Sequence, residues 1–145
     1  MSKLSSALTI ILILIILIVA GAILFIALTP HDKDQFTEFY LLNQDGKASA
    51  YPSEIKAGQP LVVVLGIVNH EGSPSDYKIQ IEQNGVIIKT VTAGVLQKTQ
   101  KWEGKVDFTL DKTGVAQRIE FYIFLNNEEK PHIKDPLVLI VDATK

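Results

Sequence analysis

The sequence predicts an all-β protein, an immunoglobulin-like antiparallel β-sandwich of about seven strands preceded by a single N-terminal transmembrane helix. Three observations carry this. Residues 7–28, ALTIILILIILIVAGAILFIAL, hold no charge. The segment DYKIQIEQ alternates strictly and runs into Asn84 and Gly85. From residue 36 onward, turn signals recur every 8–12 residues between β-rich runs, with no helical period.

The uncharged run reaches roughly 33 Å as a helix, enough to cross a hydrocarbon core of about 30 Å. Its eight Ile, six Leu, one Val and one Phe favour insertion by roughly 5–10 kcal/mol on the biological scale. A cleaved signal peptide is the rival reading, and Ala20, Gly21 and Ala22 would supply a small-x-small cleavage site. Against it, the apolar run continues through Ile23, Leu24, Phe25, Ile26, Ala27 and Leu28, which would leave a greasy end on the mature chain. The expectation is an uncleaved anchor. Lys3 and the amino terminus precede the span, and the mixed, slightly acidic residues 31–34 follow it. The positive-inside bias therefore places residues 1–6 in the cytoplasm and everything after Pro30 outside, a single-pass protein of the cell membrane.

Thr29 and Pro30 end the helix, because proline disfavours helical backbone in the residue before it. Residues 29–35 read as a linker so short that the domain sits close to the bilayer. Residues 36–145 are the size of one extracytoplasmic domain. Beyond residue 30 there are 13 Lys and Arg against 16 Asp and Glu, without a basic cluster, which argues against nucleic acid as a partner. Cysteine is absent, so no disulfide, thiolate nucleophile or zinc–sulfur site is available.

FTEFYLL (36–42) is the first strand, ended by the turn NQDGK. LVVVLGIVN (61–69) is apolar on both faces and reads as a central, doubly covered strand. In 76–83, Tyr77, Ile79 and Ile81 share one face and Lys78, Gln80 and Glu82 the other. Asn84 and Gly85 form a type I′ hairpin turn into VIIKTV (86–91). KVDFTL (105–110) aligns Val106, Phe108 and Leu110; DKTG turns the chain into VAQRIEFYIFL (115–125), where Ile119, Phe121, Ile123 and Leu125 share a face. LVLIV (137–141) closes the sandwich.

Few residues suggest chemistry. His70 and Glu71, in NHEGSPSDY, lack a second histidine at ligand spacing, so they read as a structural loop with Asn69, whose amide suits tying down loop backbone. His31 and His132 read as solvated, and Trp102 as core packing. No nucleophile elbow, phosphate-cradling loop or EF-hand pattern occurs, and no cofactor or metal is expected. Tyr122 and Phe124 fall opposite the core-facing residues of their strand and are the candidate interaction surface.

The run from 36 to 82 resembles the soluble domain of the archaeal membrane-protein family catalogued as domain of unknown function 1616. The likeness is carried by Phe36, Thr37, Glu38, Phe39 and Tyr40, by Asp45, Gly46 and Lys47, by Tyr51, Pro52 and Gly58, and by Gly66 to Glu71 with Tyr77. Past Val86 only the strand pattern GVAQRIEFYIF is similar. The resemblance implies an archaeal source and an exported β-sandwich tethered to the membrane, and it implies no activity. Family members with several N-terminal membrane helices differ from this chain, which has one. The expected function is a non-catalytic cell-surface protein, held in the bilayer by its helix and displaying one β-sandwich to an envelope protein whose identity the sequence does not give. The alternative is a pilin-like or archaellum-stator-like subunit of a surface filament or motor.

Overall fold

The computed structural model describes residues 2–28 and 35–145. The linker expected at 29–35, with the helix-ending Thr29 and Pro30 and with His31, lies outside the described residues except for Gln35. The chain divides into two units.

The first unit is helix α1 (Ser2–Leu28). Its stretch Ser6–Leu28 has a mean hydropathy of 3.5 and none of it is buried by protein. Leu8, Ile18 and Phe25 are 62%, 70% and 73% exposed, an arrangement that water penalises and lipid does not. Length and composition fit a single-pass anchor or a signal sequence.

The second unit is all-β: β1 (Thr37–Asn43), β2 (Glu54–Lys56), β3 (Pro60–Asn69), β4 (Ser75–Gln83), β5 (Val86–Leu96), β6 (Lys101–Thr109), β7 (Gly114–Leu125) and β8 (Leu137–Thr144). A three-stranded sheet has the order β1-β3-β6, and a five-stranded sheet the order β2-β8-β7-β4-β5. All pairings are antiparallel except that of β2 with β8. This is the immunoglobulin-like sandwich that the alternating sequence predicts, with the short strand β2 as an addition to the seven expected. Ile55 of β2 packs against the core, which gives this otherwise polar tripeptide a reason to pair.

The core lies between the sheets. Val63, Leu65 and Ile67 of β3, with Val106 and Phe108 of β6, meet Tyr77, Ile79 and Ile81 of β4 and Ile119, Phe121 and Ile123 of β7. Phe108 and Phe121 cross it edge to face at 6.0 Å, a favoured geometry for aromatic rings. Asn84 and Gly85 both take positive φ, 50° and 81°, as the predicted type I′ turn requires. Trp102 packs against the core.

The double apolarity of β3 has a different cause from the one expected. Among the described strands, no second layer covers its outer face. Tyr40 of β1 lies across Gly66 instead, so close that a Cβ there would fall 2.0 Å from the ring. The Tyr40 hydroxyl donates to Glu103 Oε1 of β6 at 2.6 Å, and Val64 on the same face is 7% exposed. The cover is made of neighbouring side chains.

Strand directions put residues 35–36 and the loops 70–74, 97–100 and 126–136 at one end of the sandwich, the end where the chain enters the domain. The turns at 84–85 and 110–113 lie at the other.

Candidate interaction surface

At the entry end the structure gathers the residues that the sequence marks as a structural loop. Asn69 is fully buried at the close of β3. Its side-chain amide donates to the carbonyls of Ser73 and Leu96, both at 2.8 Å, and its Oδ1 accepts the Glu71 N–H at 2.8 Å. Its own carbonyl accepts the Thr99 N–H at 2.7 Å, holding Thr99 at a φ of 64° that a β-branched residue adopts only under constraint. One asparagine thus fixes the β3–β4 and β5–β6 loops together.

His70 and Glu71 take separate partners. His70 stacks on Phe36 with ring centroids 4.5 Å apart, and its Nε2 lies 3.6 Å from Glu38 Oε2. Glu71 Oε1 accepts the Thr37 hydroxyl at 2.6 Å and lies 2.8 Å from His132 Nε2. Thr37 Oγ1 is also 3.1 Å from the buried Tyr77 hydroxyl. Burial, above all, raises the Tyr77 pKa, and the Glu71 charge adds to it while the Thr37 hydrogen bond opposes; the phenol stays protonated and able to donate.

His132 differs from the solvated residue expected. Its backbone N–H donates to the Ile123 carbonyl at 2.8 Å, which folds the 126–136 loop back. Its ring is 25% exposed, with Nε2 on Glu71 and Nδ1 3.4 Å from Glu128 Oε2. The 61 residues separating Glu71 from His132 leave no local signal for this pairing. The link joins β1, the β3–β4 loop and the β7–β8 loop, and so fastens the two sheets. Among the described residues, no group of three or more His, Asp or Glu is placed to hold a metal ion.

The aromatic pair lies on β7, between β4 and β8. Ile119, Phe121, Ile123 and Leu125 enter the core, whereas Tyr122 and Phe124 stand outside the core cluster. Phe124 is nevertheless only 8% exposed. It opposes Lys78 across the β4 pairing, and Lys78 Nζ lies 5.6 Å from its ring centroid. The alkyl stem of a lysine covers apolar surface while its charge stays wet. Tyr122, opposite Gln80, is half-buried; desolvation first, then the Glu120 and Glu82 charges, raise its pKa. The expected two-ring patch therefore narrows to Tyr122, joined on this sheet by Val138 and Ile140 of β8, which are 37% and 49% exposed. Their β7 partners, Glu120 and Arg118, pair with each other at 2.9 Å.

Two sheets of three and five strands, packed over one apolar core and lacking any disulfide, define an immunoglobulin-like β-sandwich preceded by an apolar helix. The chain belongs to the family described as Domain of unknown function (DUF1616), whose model matches residues 30–139. Among solved structures it is similar to a CARDB domain from Pyrococcus furiosus, crystallised in complex with di-metal ions, at 14% identity and a TM-score of 0.54, over 77% of this chain and 96% of that one. A β-glucosidase from Listeria innocua matches at 16% identity and a TM-score of 0.54, over 76% of this chain but 16% of the enzyme. A chain of the complex between zinc 2-glycoprotein and prolactin inducible protein from human seminal plasma matches at 11% identity and a TM-score of 0.51, over 80% of this chain and 100% of that one. At these identities the likeness is one of fold. No curated protein matches the chain.

Proposed function

We propose that this protein is a non-catalytic display module, anchored in the cell membrane by α1 with its N-terminus in the cytoplasm and its β-sandwich outside. The observation that carries the reading is the pairing of an apolar helix none of whose membrane-length residues is buried with a sandwich that closes its core from its own strands and loops. A lipid bilayer is the partner that such a helix fits, and surface contact is the work left to the domain. The contact face we assign is the outer side of the five-stranded sheet around Tyr122, and the partner is an envelope protein. A tyrosine there supplies a large rigid contact and a hydroxyl at low conformational cost.

The test has two arms. Protease added to intact cells should remove the domain while carbonate leaves the protein in the membrane fraction; a protected domain or carbonate release overturns the topology. Tyr122→Ala should abolish co-purification of an envelope protein with the thermal melt unchanged. Retained co-purification, or a large fall in melting temperature, rejects the contact face.

A further inference from the structure

At the end of the sandwich opposite the chain's entry, a polar residue stands where alternation calls for an apolar one. Ile119, Phe121 and Ile123 of β7 turn into the core, and period two carries that row on to Gln117, which is only 8% exposed. Burying an amide costs free energy unless its hydrogen bonds are met, and here the two walls of a cleft meet them. Gln117 Oε1 accepts Gln83 Nε2 at 2.6 Å and Asn84 Nδ2 at 3.3 Å, both from the β4–β5 hairpin. Its Nε2 donates to the Lys112 carbonyl of the β6–β7 loop at 3.3 Å. The backbone makes room for the amide. A bulge between Gly114 and Gln117 holds Ala116 at a φ of 51°, with its N–H donating to Asp142 Oδ1 at 2.6 Å. A Cβ on Gly114 would fall 2.3 Å from Gln117 Nε2. Bulges recur beside binding sites, where they re-aim a side chain.

The cleft framed in this way has a volume of about 410 Å³. Through Gln83, Ile88 and Asp111 it continues into a second cleft of about 400 Å³ on the flank between β5 and β6. Each volume falls within the roughly 300–1,000 Å³ of small-molecule sites. We propose that this groove binds a neutral saccharide chain. Its charges balance, Lys89 and Lys112 against Asp107 and Asp111, and Lys89 is paired with Asp107 at 3.2 Å. An anionic ligand calls for an excess of positive charge, and among the described residues no group of three or more His, Asp or Glu is placed to hold a cation. A peptide adding as a strand needs an open edge, but the Lys89 ammonium of β5 already donates to the Asp107 carbonyl of β6. Side-chain groups are what the groove offers. The Asp111 carboxylate, the Lys112 ammonium, the Thr113 hydroxyl and the amide oxygens of Gln83 and Asn84 have no protein partner among the described residues. A carboxylate accepts from neighbouring sugar hydroxyls, an ammonium donates to them and a hydroxyl does either. Val86 and Ile88 add an apolar wall for the C–H face of a sugar ring, and two joined compartments suit a chain of rings. Gln117 holds both walls before any ligand arrives, which lowers the cost of ordering the site. The groove is separate from the Tyr122 face, and the extracytoplasmic reading of the domain bears only on the source of the ligand, an envelope glycan.

The test uses the full-length protein in lipid nanodiscs, free of glycoside detergents, on an array of neutral hexose and N-acetylhexosamine oligosaccharides with sulfated and sialylated chains beside them. Neutral oligosaccharides should be retained. Calorimetric titration with the best retained one should show an affinity lower by about 10-fold or more in Asp111→Ala, and Thr113→Ala should weaken binding in the same direction. Both positions are exposed, so the melting temperature should be kept in each variant. Lys98→Ala, in the loop at the other end of the sandwich, should bind as wild type does. The proposal is overturned by an array that retains no neutral oligosaccharide, by a preference for the charged chains, by an unaltered affinity in Asp111→Ala, or by an equal loss in Lys98→Ala. Binding is read on the purified protein, so its failure leaves the membrane topology and the Tyr122 contact to their own tests.

Discussion

Both sheets carry apolar residues on their outer faces, and the two faces cover them differently. On the three-stranded sheet, Tyr40 crosses Gly66 to reach Glu103, while Lys101 lies 5.7 Å over the Tyr40 ring and 2.7 Å from the Glu103 carboxylate. Val64 on the same face is buried. On the five-stranded sheet Lys78 covers Phe124, but Val138 and Ile140 stay open. The difference lies in the neighbours. β3 has a full-length strand on each side to lend long side chains, whereas β8 has β7 on one side and only β2 beside its last residues. Whether an outer-face valine is buried depends on the strands that flank it more than on its own identity.

Phe121→Ala sets the scale, because its ring lies in the core that both faces share. A loss of about 3–5 kcal/mol is expected from the cavity, a large share of the roughly 5–15 kcal/mol typical of a domain. Denaturant titration of the domain measures it, and a loss below about 1 kcal/mol would mean that the core closes over the gap. Gly66→Ala breaks the sealed face directly: the new methyl displaces Tyr40, at a cost of about 1–3 kcal/mol from overpacking. If stability is unchanged and the Tyr40 contact with Glu103 survives in a crystal structure of the variant, the seal is not as tight as the geometry requires.

Lys78→Ala addresses the partial cover on the other sheet. Losing the ammonium and its stem above Phe124 should cost about 0.5–1 kcal/mol, and a dye that reports exposed apolar surface should bind more strongly. The smallest effect is electrostatic. Lys101 beside Glu103, and then the Tyr40 hydroxyl, lower the Glu103 pKa from its ordinary 4.5. That contribution is present above pH 4.5 and is lost as pH falls through the lowered value. Lys101 is raised from 10.5 to about 12, chiefly by Glu103, so its share is present below pH 10.5 and lost as pH rises through about 12. The melting-temperature difference between wild type and Glu103→Gln should therefore be level between those limits and shrink on either side. A difference that grows on acidification contradicts the assignment.

Much of the fold was legible because alternation and turn chemistry are local. The faces of β4 and β7 follow from period two, and the Asn84 and Gly85 turn from its need for positive φ. β2 was not legible: Glu54, Ile55 and Lys56 carry no strand signature, and they pair because Asp142 and Thr144 present free backbone groups beside them. At the candidate site, Asn69 could be singled out from its type and its place at a strand end. The covering of Phe124 and the joining of His132 to Glu71 could not, since both depend on long side chains brought together from distant segments.

The clasp of Thr37, Glu71 and His132 has a mechanical meaning. Tension arriving along the chain from α1 enters the domain at β1, an edge strand held to β3 by seven register pairs. A pull applied to residue 35 along the strand axis would load those pairs in shear, so that they resist together instead of opening one at a time. Thr37 stands first in that line, and its hydroxyl on Glu71, with His132 on the same carboxylate oxygen, passes part of the load to the loop that leads into β8. Such a pull would be shared between the two sheets through the Glu71 carboxylate.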